Sequence, residues 1–197
     1  MLEVRQTEIF ANWFKRLRDR RAKARIQARI DRLEMGHFGD VSPVGGGVSE
    51  LRIHYGPGYR VYFVQRGLVV VVLLCGGDKS SHNSDITKAK KLAKQLEDSI
   101  MAIQTTRWDS AEHLKTEEDI QLYLEACLEE AGDDPALMIH AFGVIARAKN
   151  MSQLARDTGL SREGLYKALS PDGNPTFSTV AKVAKALGFK LTVEPLG

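Results

Sequence analysis

The chain has 197 residues, 43% hydrophobic and 27% charged, the composition of a soluble globular protein with enough apolar residues for packed cores. Its longest apolar run, Leu68 to Cys75, is eight residues, far short of a membrane span, and the charged start at Met1–Arg5 carries no apolar signal region. No membrane partner and a cytoplasmic location are therefore expected. The net charge of +3 hides an asymmetry: residues 1–100 hold 18 Lys and Arg against 11 Asp and Glu (net +7), residues 101–197 hold 10 against 14 (net −4). That pattern fits a half that faces nucleic acid beside a half that neutralises it, and equally two unrelated solvated surfaces.

Glu3 to Thr7 reads as a short strand. Phe10, Trp13, Phe14 and Leu17 then recur at helical spacing, and Ala22, Ile26, Ile30 and Leu33 continue in a second helix that stops near Gly36. Around these stripes lie Arg16, Arg18, Arg20, Arg21, Lys23, Arg25, Arg29 and Arg32. Guanidinium forks match phosphate oxygens, although a solvated helix face has the same look.

A Gly/Pro-rich loop, Pro43 to Gly47, precedes three strand candidates. In the first, Leu51 and Ile53 alternate with Glu50, Arg52 and His54; in the second, Tyr59, Val61 and Phe63 alternate with Arg60 and Tyr62. Tyr55-Gly56-Pro57-Gly58 between them is turn chemistry. The third, Leu68 to Cys75, is apolar throughout, as a strand covered on both faces should be. With the apolar sets turned to the helices, Arg52, His54, Arg60 and Tyr62 share the opposite face, unless the register slips by one. Gly76-Gly77 and Asp78-Lys79-Ser80-Ser81-His82 lead into a helix carrying Ile86, Ala89, Leu92, Ala93 and Leu96.

The order β-α-α-β-β-β-α resembles the RelE/HigB toxins, in the phage-derived, addiction-module-killer branch. The strings that carry the resemblance are Leu51-Arg52, Gly58-Tyr59-Arg60-Val61-Tyr62 and Leu73-Leu74-Cys75-Gly76-Gly77-Asp78-Lys79-Ser80. It implies an antiparallel sheet with helices and cleavage of mRNA on the ribosome. The residues suit that chemistry: in-line attack by a ribose 2′-hydroxyl needs a proton acceptor, a proton donor and cations for the developing charge. Arg60 is the leading phosphate clamp, assisted by Arg52 and Lys79, and His54, Tyr62 and His82 each carry a transferable proton. The absence of a clustered Asp/Glu set points away from a metal-dependent nuclease. Cys75 and Cys127 form neither a CxxC pair nor a zinc spacing, so buried thiols and no metal or cofactor are expected.

Near residue 100 the pattern breaks, and Met101 looks like a fresh start, as in a fusion of adjacent genes or an engineered tether. Residues 97–106 carry no recurring apolar stripe and read as an exposed linker between domains at 1–100 and 101–197. Thr116-Glu117-Glu118-Asp119 is a capping-box-like start for a helix with Ile120, Tyr123, Leu124, Cys127, Leu128 and Ala131 on one stripe. Asp134-Pro135 opens the next, with Met138, Ala141, Phe142, Ile145 and Ala146 inward. From Ser152 to Leu169 two short helices are expected. N-cap residue types stand at Ser152 and Ser161, a small Ala155 suits close approach, and Gly159 fits the turn. This is a helix-turn-helix signal over about residues 150–170, presenting Arg162, Glu163, Tyr166 and Lys167 from the second helix, whose start is Ser161, to a major groove. A helical pair used only for protein contacts is the plainer alternative. Asn174 and Thr176 lie just beyond, placed to hold phosphate. Thr176 also caps a final helix using Val180, Val183, Ala184 and Leu187, and Phe189 to Val193 alternates like a short strand.

This half resembles the HigA-like antitoxins with Xre-type DNA-binding domains. The resemblance rests on Ala146-Arg147-Ala148-Lys149, on Ser161 to Leu169, and on Ser170-Pro171-Asp172-Gly173-Asn174-Pro175-Thr176-Phe177. It implies operator DNA and the toxin half as partners, and a homodimer. The combined expectation is an α+β chain: a toxin–antitoxin module whose nuclease half is held silent by its antitoxin half. The alternative is a transcription regulator whose first half is a catalytically inactive RNA- or protein-binding module.

Overall fold

The computed structural model describes residues 1–68, 70–98, 104–132, 134–170 and 173–192, an α+β chain that divides into two compact units, Met1–Asp109 and Ser110–Gly197. In the first unit the strands are β1 (Glu3–Thr7), β2 (Val41–Gly45), β3 (Val48–Ile53), β4 (Tyr59–Arg66), β5 (Val70–Gly77) and β6 (Thr105–Arg107), and the helices are α1 (Glu8–Arg16), α2 (Arg20–Glu34) and α3 (His82–Asp98). The strands form one sheet in the order β2-β3-β4-β5-β1-β6. Every pair is antiparallel except β1 with β5. The sheet is therefore mixed, because the first strand enters beside the last of the central meander.

Alternation sorts the sheet residues into two cores. Leu51, Ile53, Val61, Phe63, Val71 and Leu73 face α1 and α2, meeting Phe10, Phe14, Ile26, Ile30 and Leu33. Val48, Tyr62, Val64, Val72, Leu74 and Cys75 face α3, meeting Ala89, Leu92 and Ala93. Coverage on both faces explains the unbroken apolar run of β5. The strand lies later than its sequence suggests: Leu68 is 89% exposed in the preceding turn, and Val69 is outside the described residues. The expected loop at Pro43–Gly47 is in part β2, an edge strand, where proline's missing N–H leaves no gap in the ladder; the register shifts between Pro43 and Gly45.

The Gly76-Gly77 pair has a steric cause. A Cβ on Gly76 would lie 2.3 Å from the Trp13 ring, and one on Gly77 would overlap the Asp85 carboxylate. One glycine admits an aromatic ring on the α1 side, the next admits α3 on the other.

Residues 97–106 differ from the expected linker. Positions 99–103 lie outside the described residues, but Thr105–Arg107 pairs with β1 as the outermost strand, and Trp108 is buried in the core of the first unit. Three residues are too few to show a two-residue period, and their partner lies about a hundred positions away in sequence.

In the second unit a short 3₁₀ turn, Ser110–His113, precedes α4 (Glu117–Ala131), α5 (Pro135–Lys149), α6 (Met151–Thr158), α7 (Arg162–Ala168) and α8 (Phe177–Ala186). Thr116 and Asp119 form the capping box of α4, and Asp134 caps α5. The cap of α6 is Asn150, whose side chain accepts from the N–H groups of Ser152 and Gln153; Ser152 is inside the helix. Leu137 is buried where Met138 was expected, Met138 is half-buried, and Leu128 is 56% exposed on α4. Residues 189–192 form no strand, and Val193, Pro171 and Asp172 are outside the described residues. No helix among the described residues is long and apolar enough to cross a membrane.

Both tryptophans lie in the first unit, so their fluorescence reports on it alone. Gly76→Ala should destabilise that unit by about 1–3 kcal/mol, since Trp13 must give way to the added methyl. The check is a lower denaturant midpoint by tryptophan emission; an unchanged midpoint would show that the ring moves at no cost.

Candidate functional site

The β3–β4 register sets Arg52 opposite Arg60 and Glu50 opposite Tyr62, so these four side chains share the face that α3 only partly covers. The first residue of α3, His82, comes in from above. At the centre is Glu50, which is 1% exposed. A carboxylate so buried needs compensating charge. The Arg52 guanidinium donates to its Oε1 through Nε at 2.8 Å and approaches the same oxygen with its Nη2 at 2.7 Å. Arg60 Nε and His82 Nδ1 each lie 3.4 Å from Oε2. Neither Glu50 Oε2 nor Arg60 Nε makes a hydrogen bond among the described residues, so both retain bonding capacity. Arg60 is fixed by donation from Nη1 to the Gly58 carbonyl at 3.1 Å.

The Tyr62 hydroxyl sits 3.3 Å from His82 Nδ1. Burial, reinforced by the negative charges of Glu50 and Asp85 and opposed by Arg60, pushes the phenol well above its ordinary range. Tyr62 therefore stays protonated and acts as a hydrogen-bond donor. Glu50 holds Arg52 still more firmly in its charged form. Beside the cluster, Asp78 accepts from the hydroxyl and the N–H of Ser80, which hold its carboxyl below the usual range; Arg60 adds to this and burial opposes it. Ser81 donates to Asp85 at 2.5 Å.

The structure thus brings Arg52, Arg60, Tyr62 and His82 together. His54 is drawn aside: its Nε2 lies 2.5 Å from Asp40 Oδ2 at the end of β3, with 77% of its side chain exposed. Lys79 is exposed in the loop after β5, its N–H pointing at the Pro57 carbonyl across the Gly58 turn. Glu50 was not among the expected site residues. Its one signal was its parity with Arg52 and Arg60 on the same face of the paired strands, which an acid on a solvated face shares.

In the second unit Thr158 closes α6 by donating to the Leu154 carbonyl at 2.7 Å, and Gly159 follows with φ 70°, the left-handed turn. Ser161 accepts from the Gly164 N–H at 2.9 Å and so caps α7. Leu165 and Leu169 are buried and Leu160 is half-buried. Arg162, Glu163, Tyr166 and Lys167 all point to solvent on the opposite side of α7, and Asn174 and Thr176 are exposed beyond it. The hydroxyl of Thr176 accepts from the Thr179 N–H as the cap of α8.

Residues 104–195 match the family described as "probable addiction module antidote protein". Two uncharacterised proteins of Haemophilus influenzae are similar to the chain. One is 58% identical over 94 residues, 48% of this chain and 95% of that protein; the other is 50% identical over 95 residues, 48% and 96%. Each relative is thus about half as long as this chain. No solved structure matches it.

Next to Tyr62 in the sheet is Cys75, whose thiol donates weakly to the Asp85 carbonyl at 3.8 Å. Burial, with help from Asp85 and against Lys88, pushes it from the ordinary 9.0 up to about 12. The folded value lies above the unfolded one, so the stability this thiol contributes is intact below about pH 9 and is lost as pH rises towards about 12. At pH 8 the folded chain should therefore carry far less Cys75 thiolate than the unfolded one. Alkylation with iodoacetamide, located by mass spectrometry, should label Cys75 in urea and spare it in buffer; equal rates would contradict the burial.

Proposed function

Because this chain belongs, through residues 104–195, to the family described as probable addiction module antidote protein, we propose that it is a toxin–antitoxin module in one polypeptide. In this reading the N-terminal half is a metal-independent endoribonuclease that cuts mRNA on the ribosome. The C-terminal half neutralises it and, as a homodimer, binds operator DNA to repress its own operon.

The observation that carries the catalytic part is the Glu50 cluster, two guanidiniums and an imidazole gathered on one carboxylate at the uncovered end of a sheet. The scissile phosphate takes the open side of the cluster. Arg60 and Arg52 bind its oxygens and stabilise the charge that grows there. His82, whose Nδ1 lies 3.4 Å from Glu50 Oε2, exchanges a proton with the reacting oxygens. Tyr62, fully buried and kept protonated, orients His82 through its hydroxyl. Lys79 and His54, at the rim, contact the backbone of the RNA further along. The DNA-binding part rests on α7, whose exposed Arg162, Glu163, Tyr166 and Lys167 form the solvent side of a helix-turn-helix with a capped start.

The second reading keeps the regulator and makes the first half a catalytically inactive binding module. What favours it is that Glu50 already engages Arg52 and approaches Arg60, as a purely structural ion cluster would.

Expression of residues 1–109 alone should arrest translation while the full chain does not, and Arg60→Ala should lower the rate of mRNA cleavage about 10²–10³-fold with tryptophan emission unchanged. A folded, fully toxic Arg60→Ala variant would remove Arg60 from its role; a harmless 1–109 fragment with native emission would favour the binding module. The double change Arg162→Ala and Lys167→Ala should weaken operator binding and lower the slope of log K against log salt by about 1–2, one counterion per lost phosphate contact, leaving neutralisation intact. Loss of both activities in a folded protein would mean that the two surfaces overlap.

A further inference from the structure

Residues 104–109 belong by sequence to the antidote-family match, which begins at 104, and by structure to the first unit, which ends at Asp109. Within that unit they make three kinds of contact. β6 pairs antiparallel with β1, placing Arg5 opposite Arg107, Gln6 opposite Thr106 and Thr7 opposite Thr105. The Arg5 guanidinium donates to the Thr105 hydroxyl and carbonyl at 2.8 Å each, and the Trp108 N–H donates to the Val4 carbonyl at 2.9 Å. The Trp108 ring, 2% exposed, stands edge-on to Phe10 at 5.8 Å and to Phe14 at 5.2 Å.

All described strands lie in the sheet of the first unit, so among the described residues the second unit offers β6 no strand to pair with. A chain consisting only of the family-matched region would carry this segment with neither its sheet nor its aromatic slot. Conversely, the first unit without it would expose the β1 edge and an unfilled core position. An extended segment that adds backbone hydrogen bonds to a sheet edge and inserts one aromatic anchor is a recurrent mode of peptide recognition.

We propose that the edge of β1, with the slot between Phe10 and Phe14, is a docking site for an extended segment of an antidote-family chain, and that Thr105–Trp108 is that segment, held here in cis. Strand addition around one tryptophan then holds this segment to the first unit, and charge attraction serves encounter and register. This deepens the toxin–antitoxin reading and rests on it for the identity of the partner, but its test reads association and not translation.

The test inserts a protease site between Ile100 and Met101 of the full chain, cleaves it, and follows the two fragments by size exclusion over a dilution series. Salt of about 1 M, where the Debye length is about 3 Å, screens the attraction between the basic and acidic halves. The parent fragments should coelute. Trp108→Ala should weaken their association at least about 30-fold, the loss expected for an interface anchor, with Trp108→Phe between the two. An excess of a synthetic peptide of residues 103–110 should displace the C-terminal fragment of the parent, whereas the peptide carrying Trp108→Ala should not. Equal retention of Trp108→Ala and parent, or parent fragments that part on cleavage, would overturn the proposal. If Trp108→Ala fails to fold before cleavage, judged by circular dichroism, the peptide competition decides alone, and failure to displace overturns it.

Discussion

β1 is flanked on both sides, by β5 in parallel and by β6 antiparallel, and much of the first unit follows from satisfying its backbone groups. A buried strand cannot leave a row of N–H and C=O groups unpaired, since each orphan costs as much as the hydrogen bond it lacks. Pairing with β5 ties the first residues of the chain to the meander and leads directly into α1, whose start is capped by Thr7. Pairing with β6 draws in a segment from about a hundred residues downstream. Trp108 follows at once and completes the core that Phe10 and Phe14 begin. One strand thus joins the fold of the first unit to a segment that belongs by sequence to the antidote family.

A second constraint acts at Glu50. A carboxylate removed from water must be neutralised or paired, and here the pairing recruits Arg52, Arg60 and His82 from β3, β4 and α3. The same charge balance that makes the burial tolerable gathers cations and a proton carrier at a solvent-accessible edge. The neighbouring Gly76 and Gly77 allow this closeness, because any side chain there would push away α1 or α3. The cluster ties β3, β4 and α3 together, which makes Arg52 and Arg60 poor sites for neutral variation whichever function it serves.

The second unit follows a simpler rule, in which caps and turns do the positioning. Asn150, Gly159, Ser161 and Thr176 start or stop successive short helices. Helices of seven or eight residues have little stability of their own and depend on caps and on packing of Leu154, Leu165 and Val183. The result is α7 with its apolar side buried and its polar side exposed to solvent.

The sequence alone specified the elements whose information is local. Helical stripes, the caps at Thr116, Asp134, Ser161 and Thr176, the turn at Gly159, the doubly apolar β5 and the alternation of β3 and β4 are each written within a few residues, so period and residue type suffice, whereas the cap of α6 fell at Asn150 and not at Ser152. Parity also placed Arg52, Arg60 and Tyr62 on one face, because a two-residue period and one turn fix it. Three features were decided only by tertiary structure: the edge strand β2, the strand β6 with Trp108, and Glu50 as the hub of the cluster. A short edge strand has no apolar face of its own, and β6 has meaning only beside β1. Glu50 in a polar alternation looks like solvent-facing decoration until α3 brings His82 over it. His54 went the other way, claimed by Asp40 from the segment before β2. For β6 and Glu50 the deciding partner lies far along the chain, and for β2 and His54 it lies across a hairpin whose pairing residue type alone does not record.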